Sequence, residues 1–402
     1  MSESIHIIGI GGTGMNGVAQ LAAHAGYKVS GSDRASDLPI FQRLEHLGIR
    51  IVPQDGSGIT ADTGFVVFST AIESDNPDIQ KAKSLNIPLL HRADMLAKLC
   101  EGKEVIAVAG TAGKSTVTGL LGWIFQCLDK YPTVYCGAIM NNVGASVRYG
   151  SGPWIIEADE SDRSFLKFHP HHAIITNIAE DHFSLAELHQ LFAQFESQVS
   201  GVVVKNAEPF NCSTPLLGKH NLQNINSALT LCKALSLDMQ KCIEAVGSFK
   251  GIERRLERHG SKVIDDFAHS PVKIAAALEA VSGEFPAFSA YWRPHGYTPL
   301  FQGLEGFVEV FSNACRPGVP TGRLKKLFIL PVYFAGGTVN IKITSEQFVE
   351  RLKAAGVPAE FAPDYTALEK RLLDAGLPVL GMGARDPDLP IFARRLATAF
   401  DR

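Results

Sequence analysis

The chain has 402 residues, which at roughly 150 residues per domain implies two or three domains and excludes a small disulfide-stapled scaffold. Its 38 basic against 41 acidic side chains leave a formal charge of −3, so the balance offers no electrostatic case for nucleic acid or an anionic membrane. No apolar run approaches the ~18 residues of a membrane helix, and the N-terminus runs straight into the strand-like Ile5-His6-Ile7-Ile8, so a cytoplasmic protein is expected. Seven scattered cysteines without a Cys-x-x-Cys pair are expected to be reduced thiols.

In chain order, βα alternation begins three times. The first block, 1–100, has strands expected over Ile5 to Ile10, Lys28 to Ser32 and Gly64 to Ser69, the mark of a small parallel α/β unit. A charged connector, Glu101 to Glu104, opens the second block, 101–246. It holds the strand Val105 to Val108, a glycine loop, and then Val117, Leu120, Leu121, Ile124 and Leu128 at helical spacing. Further on it has strands at Trp154 to Ile156 and Ala173 to Ile175, and a helix from about Leu222 to Leu235. The third block, 247–402, starts with Lys262-Val263-Ile264, with Ser270 as N-cap and Pro271 at the first helical position. It continues with strand Leu327 to Val332, helix Ser345 to Ala355, strand Pro378 to Gly381 and helix Leu389 to Phe400.

Two loops carry most of the chemical information. Gly9-Ile10-Gly11-Gly12-Thr13-Gly14 satisfies G-x-G-x-x-G between a strand and a helix, with Asp33 beyond the second strand. Glycines let backbone N–H groups approach a pyrophosphate at a helix N-terminus, which NAD, ahead of another nucleotide diphosphate, would exploit, with a merely tight turn as the remaining alternative. The second loop, Gly110-Thr111-Ala112-Gly113-Lys114-Ser115-Thr116, misses the strict G-x-x-x-x-G-K-[ST] spacing at Val108 and is expected to be a shortened phosphate-binding loop, the alternative being a glycine turn with an exposed lysine. Its Lys114 suits β/γ-phosphate oxygens and its Ser115 suits Mg²⁺.

Two acidic clusters follow strands, Glu157-Ala158-Asp159-Glu160-Ser161-Asp162 and Asn177-Ile178-Ala179-Glu180-Asp181-His182. Open α/β sheets place ligands at such strand ends, so a carboxylate and an imidazole there could hold a hard cation, although solvated loop charge is the simpler alternative. The run His169-Pro170-His171-His172 lacks ligand spacing and is expected to be an exposed loop.

Taken in order with Gly218-Lys219-His220-Asn221 to Asn224, Gly251 to Glu257 and Asp266-Phe267-Ala268-His269, these motifs resemble the Mur ligase family, the ATP-dependent amide-forming enzymes of peptidoglycan synthesis. The resemblance spans the chain and implies an α/β fold of three domains: a Rossmann-like N-terminal domain, a P-loop-type central ATP-binding domain and a Rossmann-like C-terminal domain. It assigns the first loop to a UDP-sugar, with Gly9, Gly11, Gly12, Thr13, Gly14, Asp33, Ser69 and Arg92 as substrate-binding residues. ATP is assigned to Gly110, Thr111, Gly113, Lys114, Ser115, Thr116, Asn221, Asn224, Arg255 and Asp266. Ser115 would hold a first Mg²⁺ and Glu157 with His182 a second metal, and Lys114, His182, Arg255 and His269 would be catalytic.

The partners implied are a UDP-sugar and an amine acceptor. Nothing in the sequence speaks to oligomeric state. A Mur-derived protein that binds nucleotide with an altered acceptor, or without turnover, is the competing expectation. Three departures bear on it. Ala112 stands where alanine-adding members have His, and only about 35 residues separate His182 from Gly218, a shortened central domain. In Arg293-Pro294-His295-Gly296-Tyr297-Thr298-Pro299, Gly296 and Pro299 stand where the family has two arginines for the acceptor carboxylate.

Overall fold

The computed structural model describes residues 3–179, 183–316, 318–319, 322–334 and 341–401. The first sheet comprises β1 (Ser4–Ile8), β2 (Lys28–Asp33), β3 (Arg50–Pro53), β4 (Phe65–Phe68) and β5 (Leu89–His91), parallel in the order β3-β2-β1-β4-β5. The second comprises β6 (Val105–Ala109), β7 (Thr133–Met140), β8 (Ala145–Arg148), β9 (Trp154–Glu157), β10 (His172–Ile175) and β11 (Val203–Val204). Its order is β11-β10-β6-β9-β7-β8, with β7 and β8 antiparallel at one edge. The third comprises β12 (Glu257–His259), β13 (Val263–Asp266), β14 (Phe288–Arg293), β15 (Leu324–Ile329), β16 (Ala359–Phe361) and β17 (Val379–Gly383). Its order is β12-β13-β17-β14-β15-β16, with β12 antiparallel at the edge.

Strands covered on both faces read as unbroken apolar runs, and β6, with all five residues buried, is the clearest example. In the first sheet β1 lies between β2 and β4, and in the second β6 lies between β9 and β10. Each glycine loop therefore leaves the carboxyl end of a central strand where the connections diverge to opposite sides, the crevice in which open α/β sheets bind ligands.

By contact the chain forms two compact units, one of 1–215 with 223–252 and one of 216–222 with 253–402. The first holds two sheets because one apolar core runs through both, from Ile5, Val18 and Met95 to Tyr135, Ile156 and Phe165. The helix Thr13–His24 seats Gly17 so closely on Tyr135 and Val147 that a Cβ would lie 2.8 and 2.9 Å from them. In the second unit Trp292 packs among Phe307, Phe311 and Phe348.

Local details depart from the sequence reading. The first strand stops at Ile8, since Gly9 turns the chain at φ +72°. The helix expected from about Leu222 begins at Lys219. Ser270 does precede the helix Pro271–Glu284, but its side chain makes no capping hydrogen bond. The histidine run is not wholly loop: His172 begins β10, and the Nδ1 atoms of His171 and His172 accept the N–H groups of Val105 and Val202. Among the described residues all seven cysteines are free, and no helix is long and apolar enough to cross a membrane.

Candidate active site

At the carboxyl end of the first sheet the loop after β1 is held by its own backbone. Gly9 N and Ile10 N donate to Ser32 O at 2.8 and 3.0 Å, and Gly11 N donates to Asp33 Oδ2 at 2.8 Å. A Cβ on Gly11 would lie 2.4 Å from Leu38 Cδ1 and 3.0 Å from Asp33 Oδ2, so any larger residue requires these side chains to move. Both Asp33 oxygens are engaged, because Oδ1 accepts from Ala35 N at 3.0 Å. Gly12 and Thr13 are exposed, and the helix Thr13–His24 begins without a side-chain cap, which leaves its N-terminus open to an anion.

Ser69 follows β4, the strand beside β1, at the same end of the sheet. Arg92 starts the helix Arg92–Cys100 and donates to Tyr135 Oη at 2.9 Å, with Asp162 at 3.8 Å. Tyr135 Oη in turn donates to Gly14 O at 3.1 Å. Arg92 thus joins the first glycine loop to the second sheet. A cavity of about 690 Å³ opens beside Asp33, lined by Ser36, Asp37, Phe41 and Gln54 among others.

The second loop leaves β6. Gly110 (φ +130°) and Gly113 (φ +84°) have backbone that L side chains rarely adopt, and a Cβ on either would strike Thr176 or the side-chain oxygen of Asn224. Asn177 anchors the loop: its Oδ1 accepts from Thr111 Oγ1 at 2.7 Å and from Ala112 N at 2.9 Å. Lys114, the first residue of the helix Lys114–Cys127, lies 2.5 Å from Glu160 and 3.6 Å from Asp159. Burial opposes its charge, but these two carboxylates outweigh burial and hold its ammonium above the ordinary range. Burial likewise works against the Asp159 carboxylate and is overcome by Lys114, so Asp159 sits below its usual value.

Ser115 Oγ donates to Glu157 Oε1 at 3.0 Å, and Gly137 N donates to Oε2 at 2.6 Å. A hydroxyl and a carboxylate this close form a hard oxygen donor pair of the kind Mg²⁺ takes. Thr116 is buried in the same helix turn. His182 lies outside the described residues.

Within the second unit, Arg254 is buried and donates through Nε to Asp265 at 2.9 Å and through Nη2 to Gly383 O at 2.8 Å, so it is a structural cation. Its neighbour Arg255 stacks 5.3 Å over Phe267. Asp266 accepts from the N–H groups of Leu256 and Ala268, both at 2.8 Å, while burial pushes its carboxyl up to about 6. His269 Nδ1–H donates to Phe267 O at 2.9 Å, leaving Nε2 as a lone-pair nitrogen. Burial lowers its pKa to about 4. Asn221, 4% exposed, donates through Nδ2 to Leu217 O at 2.8 Å.

The structure thus gathers Gly9 to Gly14, Asp33, Ser69 and Arg92 at one sheet end, and Gly110 to Thr116, Glu157 and Asn224 at another. Sequence reasoning did not single out Asn177, Asp159 or Glu160, although all three lie in the acidic motifs. Nor did it find Tyr135, which no motif marks.

Comparisons with known proteins identify the family. A family profile described as Mur ligase family, catalytic domain, matches residues 4–104. The chain is 32% identical to UDP-N-acetylmuramate–L-alanine ligase of Burkholderia pseudomallei, over 97% of this chain and 94% of that one. It is also 32% identical to the enzyme of that name from Polaromonas sp., covering 95% of each. Among solved structures, UDP-N-acetylmuramate–alanine ligase of Thermotoga maritima superposes with a TM-score of 0.80 at 26% identity, covering 99% of both chains. A murein peptide ligase of Psychrobacter arcticus, at 18% identity and a TM-score of 0.67, shares the fold.

Proposed function

The chain belongs to the Mur ligase family, and on that premise we propose that it joins the carboxylate of a UDP-N-acetylmuramoyl sugar to the amine of a free amino acid at the expense of ATP. The observation that carries this reading is the loop Gly110–Thr116, with its lysine and serine set against an acidic strand end.

In this reading the UDP diphosphate lies on the open helix N-terminus after Gly12, and Lys114 exchanges Glu160 and Asp159 for phosphate oxygens when ATP enters. Ser115 and Glu157 would hold Mg²⁺, with His182 as a further ligand, and the bound ion would neutralise phosphate charge. Asn224 lies beside Gly113, where it lines the nucleotide site, and Asn221, Arg255 and Asp266 serve ATP from the roles that the family resemblance gives them. The sugar carboxylate oxygen attacks the γ-phosphorus and ADP leaves, which yields an acyl phosphate. The acceptor amine then attacks the acyl carbon, phosphate departs with the C–O electron pair, and an amide remains. His269 presents an unprotonated Nε2 at neutral pH and takes the proton that the amine must lose.

The test is ADP release from ATP and Mg²⁺ with UDP-N-acetylmuramate and an amino acid supplied together or singly. Release is expected only when both are present, with the amide product detected by mass. ADP formation indifferent to either substrate would overturn the proposal.

A further inference from the structure

Two arginines that the family resemblance places on the acceptor are Gly296 and Pro299 here, and neither offers a side-chain donor. Arg293 and Arg323 do not replace them: Arg293 is bound to the buried Asp386 and to Tyr365, and Arg323 donates to the carbonyls of Ser282 and Phe285. We propose that Arg385 captures the α-carboxylate of the acceptor amino acid, an inference that rests on the ligase reading above.

Sheet register brings the groups together. In the parallel pair β14 and β17, Arg293 lies opposite Gly383, so His295 and Arg385 each stand two residues beyond adjacent strand ends. On the other side of β17, Asp266 of β13 lies opposite Met382, and His269 follows three residues later. The rings of His269 and His295 meet edge to face at 5.0 Å. His295 Nδ1 is buried and has no hydrogen-bond partner among the described residues. Burial keeps both imidazoles neutral, and the charges acting on His295 are the cations Arg385 and Lys273. The carboxylate nearest in sequence, Asp386, is turned away, with Oδ2 on Arg293 and Tyr365 and Oδ1 accepting from Asp388 N at 2.9 Å. The result is a cationic corner with an unused ring nitrogen, suited to an anion.

The backbone supplies an independent argument. Asp386 N donates to Ala384 O at 2.8 Å, which closes a γ-turn with Arg385 at its centre and φ at +65°, a strained turn that favours glycine. Ala384 and Asp386 are each 2% exposed, so the turn is pinned on both sides while Arg385 is exposed. A long cation kept where glycine would be easier indicates a use for its side chain. A guanidinium fork grips a carboxylate through two parallel hydrogen bonds, which an ammonium does not reproduce.

The test compares wild type, Arg385→Gly and Arg385→Lys with L-alanine and with L-alaninamide, which has the amine without the carboxylate. Arg385→Gly is expected to reduce the preference for L-alanine over the amide by about 100-fold, chiefly through KM, with Arg385→Lys intermediate. Its thermal midpoint should equal or exceed that of wild type, because glycine relieves the positive φ. A merely structural arginine would instead lower the midpoint and leave the preference unchanged. A preference in Arg385→Gly within about twofold of wild type, or a wild type that does not distinguish alanine from its amide, would overturn the assignment alone. A wild type that turns over no amine with UDP-N-acetylmuramate would overturn the ligase reading beneath it.

Discussion

Asp78 shows how a single carboxylate is made indispensable. It is fully buried, accepts from Ser32 Oγ and from Gly56 N at 2.7 Å, and lies 3.5 Å from His6 Nε2. Burial pushes its pKa up, but the hydrogen bonds from His6, Ser32 and Gly56 prevail and hold it below the ordinary carboxylate value. A depressed folded pKa means that this stabilisation is complete above about pH 4, the unfolded value, and fades as pH falls through the folded one. Asp78→Asn is therefore expected to cost about 3 kcal/mol in urea titrations at pH 7. The gap from wild type should narrow as the pH is lowered below about 4 and through the folded value.

At the proposed ATP site the same scale governs rate. Lys114→Ala and Glu157→Ala each remove a preorganised charge and should lower turnover about 10² to 10³-fold while circular dichroism stays native. Wild-type turnover in Lys114→Ala would show that this loop does not serve the phosphates.

At the scale of elements, the strand-loop-helix unit from Val105 to Cys127 depends on backbone geometry that glycine alone supplies without strain. Gly113 is the N-cap of the helix at φ +84°, with Asn224 against its missing Cβ. Gly113→Ala should move the loop off Asn224 and Asn177, with a stability cost of about 1 to 3 kcal/mol from the positive φ. Calorimetry should show ATP affinity falling by at least tenfold. An alanine variant with native ATP affinity would mean that the loop does not need this conformation.

At the scale of the whole molecule, the first two sheets share one core and are tied by polar contacts, of which Tyr135 makes the most buried. Tyr135 is buried and ties Arg92 to Gly14 through its hydroxyl. Tyr135→Phe takes a hydrogen-bond partner from the half-buried Arg92 guanidinium, at a cost of about 1 to 3 kcal/mol. Hydrogen exchange should report that loss equally at amides of β1 and β6, because the two sheets open together. A loss confined to one sheet would make them separate folding units.

Much of this was legible in the residues themselves. The α/β class, the position of β1 and β6 and the two glycine loops follow from local causes: unbroken apolar runs mark strands buried on both faces, and glycines mark turns that other residues cannot make. Partners across sequence separation were not legible. That Asn177 holds Thr111, that Lys114 waits on Glu160, or that Arg254 rather than Arg255 pairs with Asp265, depends on which strands are neighbours and in what register. His295 and Arg385 are 90 residues apart in the chain, and only the pairing of β14 with β17 sets them side by side. A sequence pattern records how each segment meets water and bends its own backbone. Side-chain partners are set by the order in which sheets assemble, and that is a property of the packed molecule alone.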